Sequence, residues 1–121
     1  MASIGLNELL AIIKGAHTQK QRPNLNKLDL SGANLSFANC KGANLSEAIL
    51  VRANLSGADL SGAYLGGADF FRADLILANL AGADLSDANL SQANLRAAKY
   101  NSKTLWPPDF ELNATGVVQV D

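Results

Sequence analysis

Carboxylates and carboxamides recur along this chain at a fixed phase: Asn34, Asn44, Asn54, Asp59, Asp69, Asp74, Asn79, Asp84, Asn89 and Asn94. A row of carboxylates is raw material for general acid–base catalysis. That chemistry also needs a partner group, a His, Lys or Cys within hydrogen-bond reach. The chain offers one histidine, His17, and one cysteine, Cys40. Paired-histidine metal sites, multi-cysteine metal sites and an intrachain disulfide are thereby excluded. The expectation is no catalytic residue, no metal ligand and no cofactor. The Asn/Asp row is instead expected to bond nearby backbone groups at turns and to stack in ladders.

The remaining candidates read the same way. Ser or Gly dominates the two positions that follow, as in Ser61-Gly62, which suits tight turns. A phosphate-cradling loop would open a helix and carry a following Lys, and that pattern is missing. Asn-Leu-Ser triplets, as at Asn54, match a glycosylation acceptor only as a by-product of repetition. Cys40 reads as a small core residue and His17 as a lone surface histidine. Trp106, followed by Pro107 and Pro108, reads as a cover over the end of the repeat. Ten basic against eleven acidic residues give a net charge of −1, which supplies neither the basic field of a nucleic-acid binder nor the acidic field of a nucleic-acid mimic.

The element that must position these groups has a period of five. Every position divisible by five from Leu25 to Leu105 is apolar or aromatic, with Cys40, Phe70 and Tyr100 as the departures from Leu. The residue two before each is Ala fourteen times in succession, from Ala33 through Ala98. A helix needs apolar spacing near 3.6 and a strand an alternation of 2, so neither fits. A chain that turns a corner every five residues does fit, with the Leu and the Ala of each side pointing inward. Four sides close a square coil, and residue n then stacks about 4.8 Å above residue n−20. A larger residue in the Ala slot would overpack the interior.

The stretch Ala53-Asn54-Leu55-Ser56-Gly57-Ala58-Asp59-Leu60-Ser61-Gly62 matches the pattern A(D/N)LXX twice over, so the chain resembles the pentapeptide repeat family. The resemblance implies an all-β solenoid: a right-handed quadrilateral parallel β-helix, here of about four coils with an N-terminal α-helical cap. The handedness comes from the resemblance and not from the spacing. The run Tyr100-Asn101-Ser102-Lys103-Thr104-Leu105-Trp106-Pro107-Pro108 is similar to the ending of many cyanobacterial members.

Outside the interior, apolar residues depart from the small polar rule. Ile49, Val51 and Phe71 fall in one column, with Arg52 below Arg72; Phe37, Ile76 and Leu77 fall on the next side. Phe37, Ile49, Val51, Phe71, Ile76 and Leu77 form the candidate interaction face. Two readings of it stand: a terminal segment folds back over it, or a partner or a second copy docks there. The open reading is the one adopted.

The ends need covers, because a solenoid otherwise exposes unpaired edges. Residues 3 to about 17 read as a helix with an apolar stripe of Leu6, Leu9, Leu10 and Ile13, capped by Ser3 or Asn7. Three segments follow: 1–22 as helical cap and linker, 23–102 as repeat, and 103–121 as C-terminal cap and tail. The tail Val117-Val118-Gln119-Val120 has strand character and is expected along the outside of the solenoid or against a second molecule. Function is expected to be a non-enzymatic scaffold presenting flat faces to a protein partner, with a weak homodimer as a further expectation and no membrane or direct nucleic-acid contact. The alternative, implied by the resemblance, is a DNA mimic that inhibits or protects a topoisomerase such as DNA gyrase. With no basic leader and no apolar run of about 20 residues, the expected location is cytoplasmic.

Overall fold

The computed structural model describes residues 5–108 and 110–121. Parallel bridges join residues twenty apart in four columns. The first side carries Asn24, Asn44, Tyr64 and Asp84, and the second Asp29, Ile49, Asp69 and Asn89. The third carries Asn34, Asn54, Asp74 and Asn94, and the fourth Asn39, Asp59, Asn79 and Lys99. A square coil of five-residue sides is what these columns require. Regular strands are short, because each side contributes one bridging residue before the chain turns.

One repeat shows how the sequence satisfies its own backbone. The Leu55 N–H donates to Asp74 O of the next coil at 2.7 Å, and the Gly57 N–H donates to Ile76 O at 2.8 Å. The Asp59 N–H points the other way, to Ala38 O at 3.0 Å, and the Ala58 N–H closes the turn on Leu55 O at 3.0 Å. Only the Ser56 N–H lacks a backbone acceptor, and Asn54 Oδ1 takes it at 3.0 Å. Every backbone donor of the repeat is therefore paired. The Asn/Asp row exists because one donor per repeat needs a side-chain oxygen.

The corners are left-handed. Every fifth residue from Lys27 through Ala97 has φ between +57° and +70°. With the bond from the residue after it back to the preceding Leu, this is the pattern of a type II turn, which favours Gly at that place. Gly occupies it at 32, 42, 57, 62, 67 and 82, whereas Phe37, Arg52, Arg72 and Leu77 occupy it with bulky side chains.

The interior is a column of Leu with Ala beside it. Leu25 through Leu95, Cys40, Phe70 and the alanines from Ala43 to Ala88, with Ala98, are buried in one cluster. Full burial of each Leu contributes about 1.5–3 kcal/mol before chain entropy is subtracted.

The helix α1 spans Leu6–Thr18 and buries Leu9 and Ile13 in that same cluster, with Ile12 partly buried beside them. Leu6 and Leu10, expected on its apolar stripe, are exposed. Gly5 occupies the N-cap without a side-chain bond, so Asn7 does not cap, and Ser3 lies outside the described residues. His17 Nε2 donates to Asn39 O at 2.8 Å. Asn39 stands in the first coil, with no coil beneath it to use that carbonyl.

The register slips by one after Tyr100. Asp84 bridges Leu105, twenty-one residues on. Thr104 consequently enters the buried layer and donates through Oγ1 to Leu80 O at 2.8 Å. Leu105 is not the interior residue that the count of five suggests; it faces outward with 54% of its surface exposed. The strand β1 (Lys99–Tyr100) then pairs in parallel with β2 (Val118–Gln119). The tail thus pairs with its own chain and does not run along the outside: it adds a further rung to the fourth side.

Candidate interaction surface

Corner residues project outward because the turn places them beyond the ladder. The corner between the third and fourth sides carries Phe37, Gly57, Leu77 and Ala97 in one column, with Ile76 beside Leu77. Phe37 is 79% exposed and Leu77 is 56% exposed. The Phe37 ring reaches along the column over Gly57, where no side chain stands in its way. The corner between the second and third sides carries Val51 and Phe71, both half-buried, with Arg52 and Arg72 beside them. Arg72 places Cζ 5.2 Å from the centroid of the Phe71 ring and donates through Nε to Gln92 Oε1 at 2.8 Å. Val51 and Phe71 therefore line one corner and Phe37, Ile76 and Leu77 the next, with Asn34, Asn54, Asp74 and Asn94 on the flat side between. Ile49 lies apart on the second side, bridged between Asp29 and Asp69. The tail sits on the fourth side above Lys99 and Tyr100.

The flat side is polar but already engaged. Asn34 Oδ1, Asn54 Oδ1, Asp74 Oδ1 and Asn94 Oδ1 each accept the N–H two residues on, at 3.0–3.2 Å. These oxygens are turn components and not a row of free bases. Among the described residues no three His, Cys, Asp or Glu side chains gather as a metal site would need. Cys40 is buried, and desolvation, followed by the nearby charge of Asp59, pushes its thiol up to about 11. A thiol held protonated at neutral pH is a poor nucleophile. Asp84 lies below the usual carboxylate range because Ser86 donates to it, through the side chain first and then the backbone.

Two features escaped the reading of the sequence. The Arg22 guanidinium lies along the glycine corner, donating to Gly42 O and, at 3.4 Å, to Gly62 O. Its Cζ stands 4.0 Å from the centroid of the Tyr64 ring. The carbonyl at this corner position is the one the ladder leaves unused, and glycines twenty apart leave a channel to reach it. That spacing of Gly42 and Gly62 was the available signal. The second is the partnering of Trp106, itself expected as a cover over the end of the repeat: it stacks on Phe110 at 5.0 Å and meets Tyr100 edge-on at 5.8 Å. Nearby, Ala88, Leu90, Ser91, Pro107, Pro108 and Phe110 line an open cleft of about 300 Å³.

The family profile described as Pentapeptide repeats matches this chain in eight copies, over residues 21–50, 29–67, 38–75, 48–87 and 73–99. A pentapeptide repeat protein from Nostoc PCC 7120 is 34% identical over 99% of this chain and 98% of its own, with a TM-score of 0.62. One from the Arabidopsis thaliana thylakoid lumen is 31% identical over 79% of this chain and 57% of its own, with a TM-score of 0.46. One from the cyanobacterium Cyanothece 51142 is 36% identical over 69% of this chain and 64% of its own, with a TM-score of 0.29. No curated protein matches the chain. No helix among the described residues is long and apolar enough to cross a membrane.

Proposed function

Because this chain belongs to the pentapeptide repeat family, whose members fold as right-handed quadrilateral β-helices, we propose that it is a non-enzymatic scaffold that docks a protein partner on its third side and the two flanking corners. In this reading residues 23–102 form four coils, α1 with its linker through residue 22 caps the N-terminal opening, and residues 103–121 cap the other end. The observation that carries the proposal is the exposure of Phe37 and Leu77 at left-handed corners, at φ +59° and +62°. A bulky residue there is strained, by about 1–3 kcal/mol, and an exposed side chain regains little of that through burial. Gly, Asp and Gln stand at the same phase elsewhere, and a large apolar group kept there more than half exposed fits a residue retained for what it touches outside the chain. The non-enzymatic part is supported by the Asn/Asp oxygens of the third side, each of which is spent on a turn N–H.

The test uses two baits in affinity capture from the source organism: the natural chain, and a Leu77→Asn variant confirmed to melt normally. Proteins held by the first and lost from the second support the docking face. An identical set on both overturns it. A supercoiling assay with added protein addresses the gyrase alternative, and inhibition or protection of the enzyme there would replace the scaffold reading.

A further inference from the structure

Arg52 and Arg72 stand in one column on adjacent coils, both at φ +57°. Like charges on neighbouring rungs repel, and the natural remedy is an intervening carboxylate. Neither arginine is ion-paired with a carboxylate among the described residues, and the Lys27–Glu47 pair stands on another corner. Arg72 donates through Nε to Gln92 and holds Cζ 5.2 Å from the Phe71 ring centroid, and no side chain among the described residues takes its two terminal amino groups. On the opposite flank of the third side Arg96 follows Ile76 and Leu77 by one coil. The two apolar corners are thus rimmed by three arginines without a carboxylate partner among the described residues.

We infer that the partner is a protein segment carrying carboxylates beside apolar side chains. Its acids would pair with Arg52, Arg72 and Arg96, and its apolar groups would rest on Phe71, Ile76 and Leu77. Arg offers two parallel donors to a carboxylate, and such a pair gains in strength where apolar contact excludes water. A nucleic acid would meet the same arginines, but Asp74 lies between the two corners and Asp69 lies on the second side, next to the Phe71 corner. Those carboxylates oppose a continuous polyphosphate and are tolerated by a segment with discrete acids.

This inference rests on the third-side docking face, and the experiment separates the two. Fluorescence anisotropy is read with three labelled probes: a peptide alternating Glu and Leu, its counterpart alternating Lys and Leu, and a DNA duplex. The Glu–Leu peptide is expected to bind the natural chain, more weakly as salt rises, and the other two probes not to bind. Arg52→Gln with Arg72→Gln should weaken binding by about tenfold or more. Gln92 already occupies that column at φ +58°, so the double variant should fold, and relief of repulsion should leave its melting temperature equal or higher. The single Arg52→Gln variant serves if the double one does not fold. Leu77→Asn should weaken the same peptide. Binding lost in Leu77→Asn but unchanged in the arginine variant would overturn the acidic partner and leave the docking face standing. Binding indifferent to both, or no binding of the Glu–Leu peptide, would overturn the inference, and preferential DNA binding would replace it with a nucleic-acid partner.

Discussion

The Phe37 ring occupies the space that a side chain at Gly57 would need: a Cβ there would collide with Phe37 Cε1 and Cδ1. Gly57 is therefore held by two demands, a left-handed φ of +67° and an aromatic lid. Gly32 carries only the first, with φ +68° and open space around its would-be Cβ.

The two demands separate by mutation. Gly32→Ala should cost about 1 kcal/mol, the price of strain alone. Gly57→Ala should cost more, because the Phe37 ring must also move. Phe37→Ala in the Gly57→Ala background should recover the excess, a coupling that a double-mutant cycle in chemical denaturation measures. Equal costs for the two glycines would remove Phe37 from the account.

The alanine lattice should be sterically strict. Ala58 and Ala78 are fully buried beside the Leu column, so Ala58→Leu or Ala78→Leu should prevent soluble folding. Ser61 stands at an outward corner, and Ser61→Lys should change stability by no more than about 0.5 kcal/mol. Solubility and thermal melts of the purified variants check both outcomes.

That inward and outward division was legible in the sequence, because side chains at a period of five can share a direction only if the chain turns every fifth residue. The role of the Asn/Asp row was legible for the same reason. Less could be read where a distant contact decides. The bond from His17 to Asn39 O joins residues twenty-two apart, and no local pattern announces it. The slip that buries Thr104 and exposes Leu105 was hidden because Leu105 keeps the count of five while one extra residue shifts its direction. Strain at Phe37 and Leu77 was equally hidden: only the glycines at the same phase hint at a positive φ. The tail pairs with Lys99 and Tyr100 because the last coil leaves that edge open, a fact of assembly and not of composition.

Removing residues 1–20 should expose the apolar mouth of the first coil, since Leu9 and Ile13 are buried against the core. The shortened chain should self-associate in analytical ultracentrifugation and melt earlier. A monomer of unchanged stability would demote α1 to an appendage.

Acid should weaken the fold through Asp84. Its carboxyl lies below the usual range because Ser86 donates to it, so the folded value is lower than the unfolded one. Stability from this contact is present above the unfolded value of about 4 and is lost as pH falls through the folded one. Asp84→Asn keeps the accepting oxygen and should flatten that part of the decline when melts are compared from about pH 6 to about pH 3.

If Phe37 and Leu77 are kept for a partner at the expense of stability, as proposed, the melting temperature of Leu77→Asn reports it. Asn tolerates a left-handed φ better than Leu does, and Asp87 shows a short polar side chain at the same phase with φ +61°. That temperature is expected to equal or exceed the natural chain's, with a gain of up to about 1 kcal/mol. A fall equivalent to more than about 1 kcal/mol would mean that Leu77 supports the fold itself, and would contradict the claim.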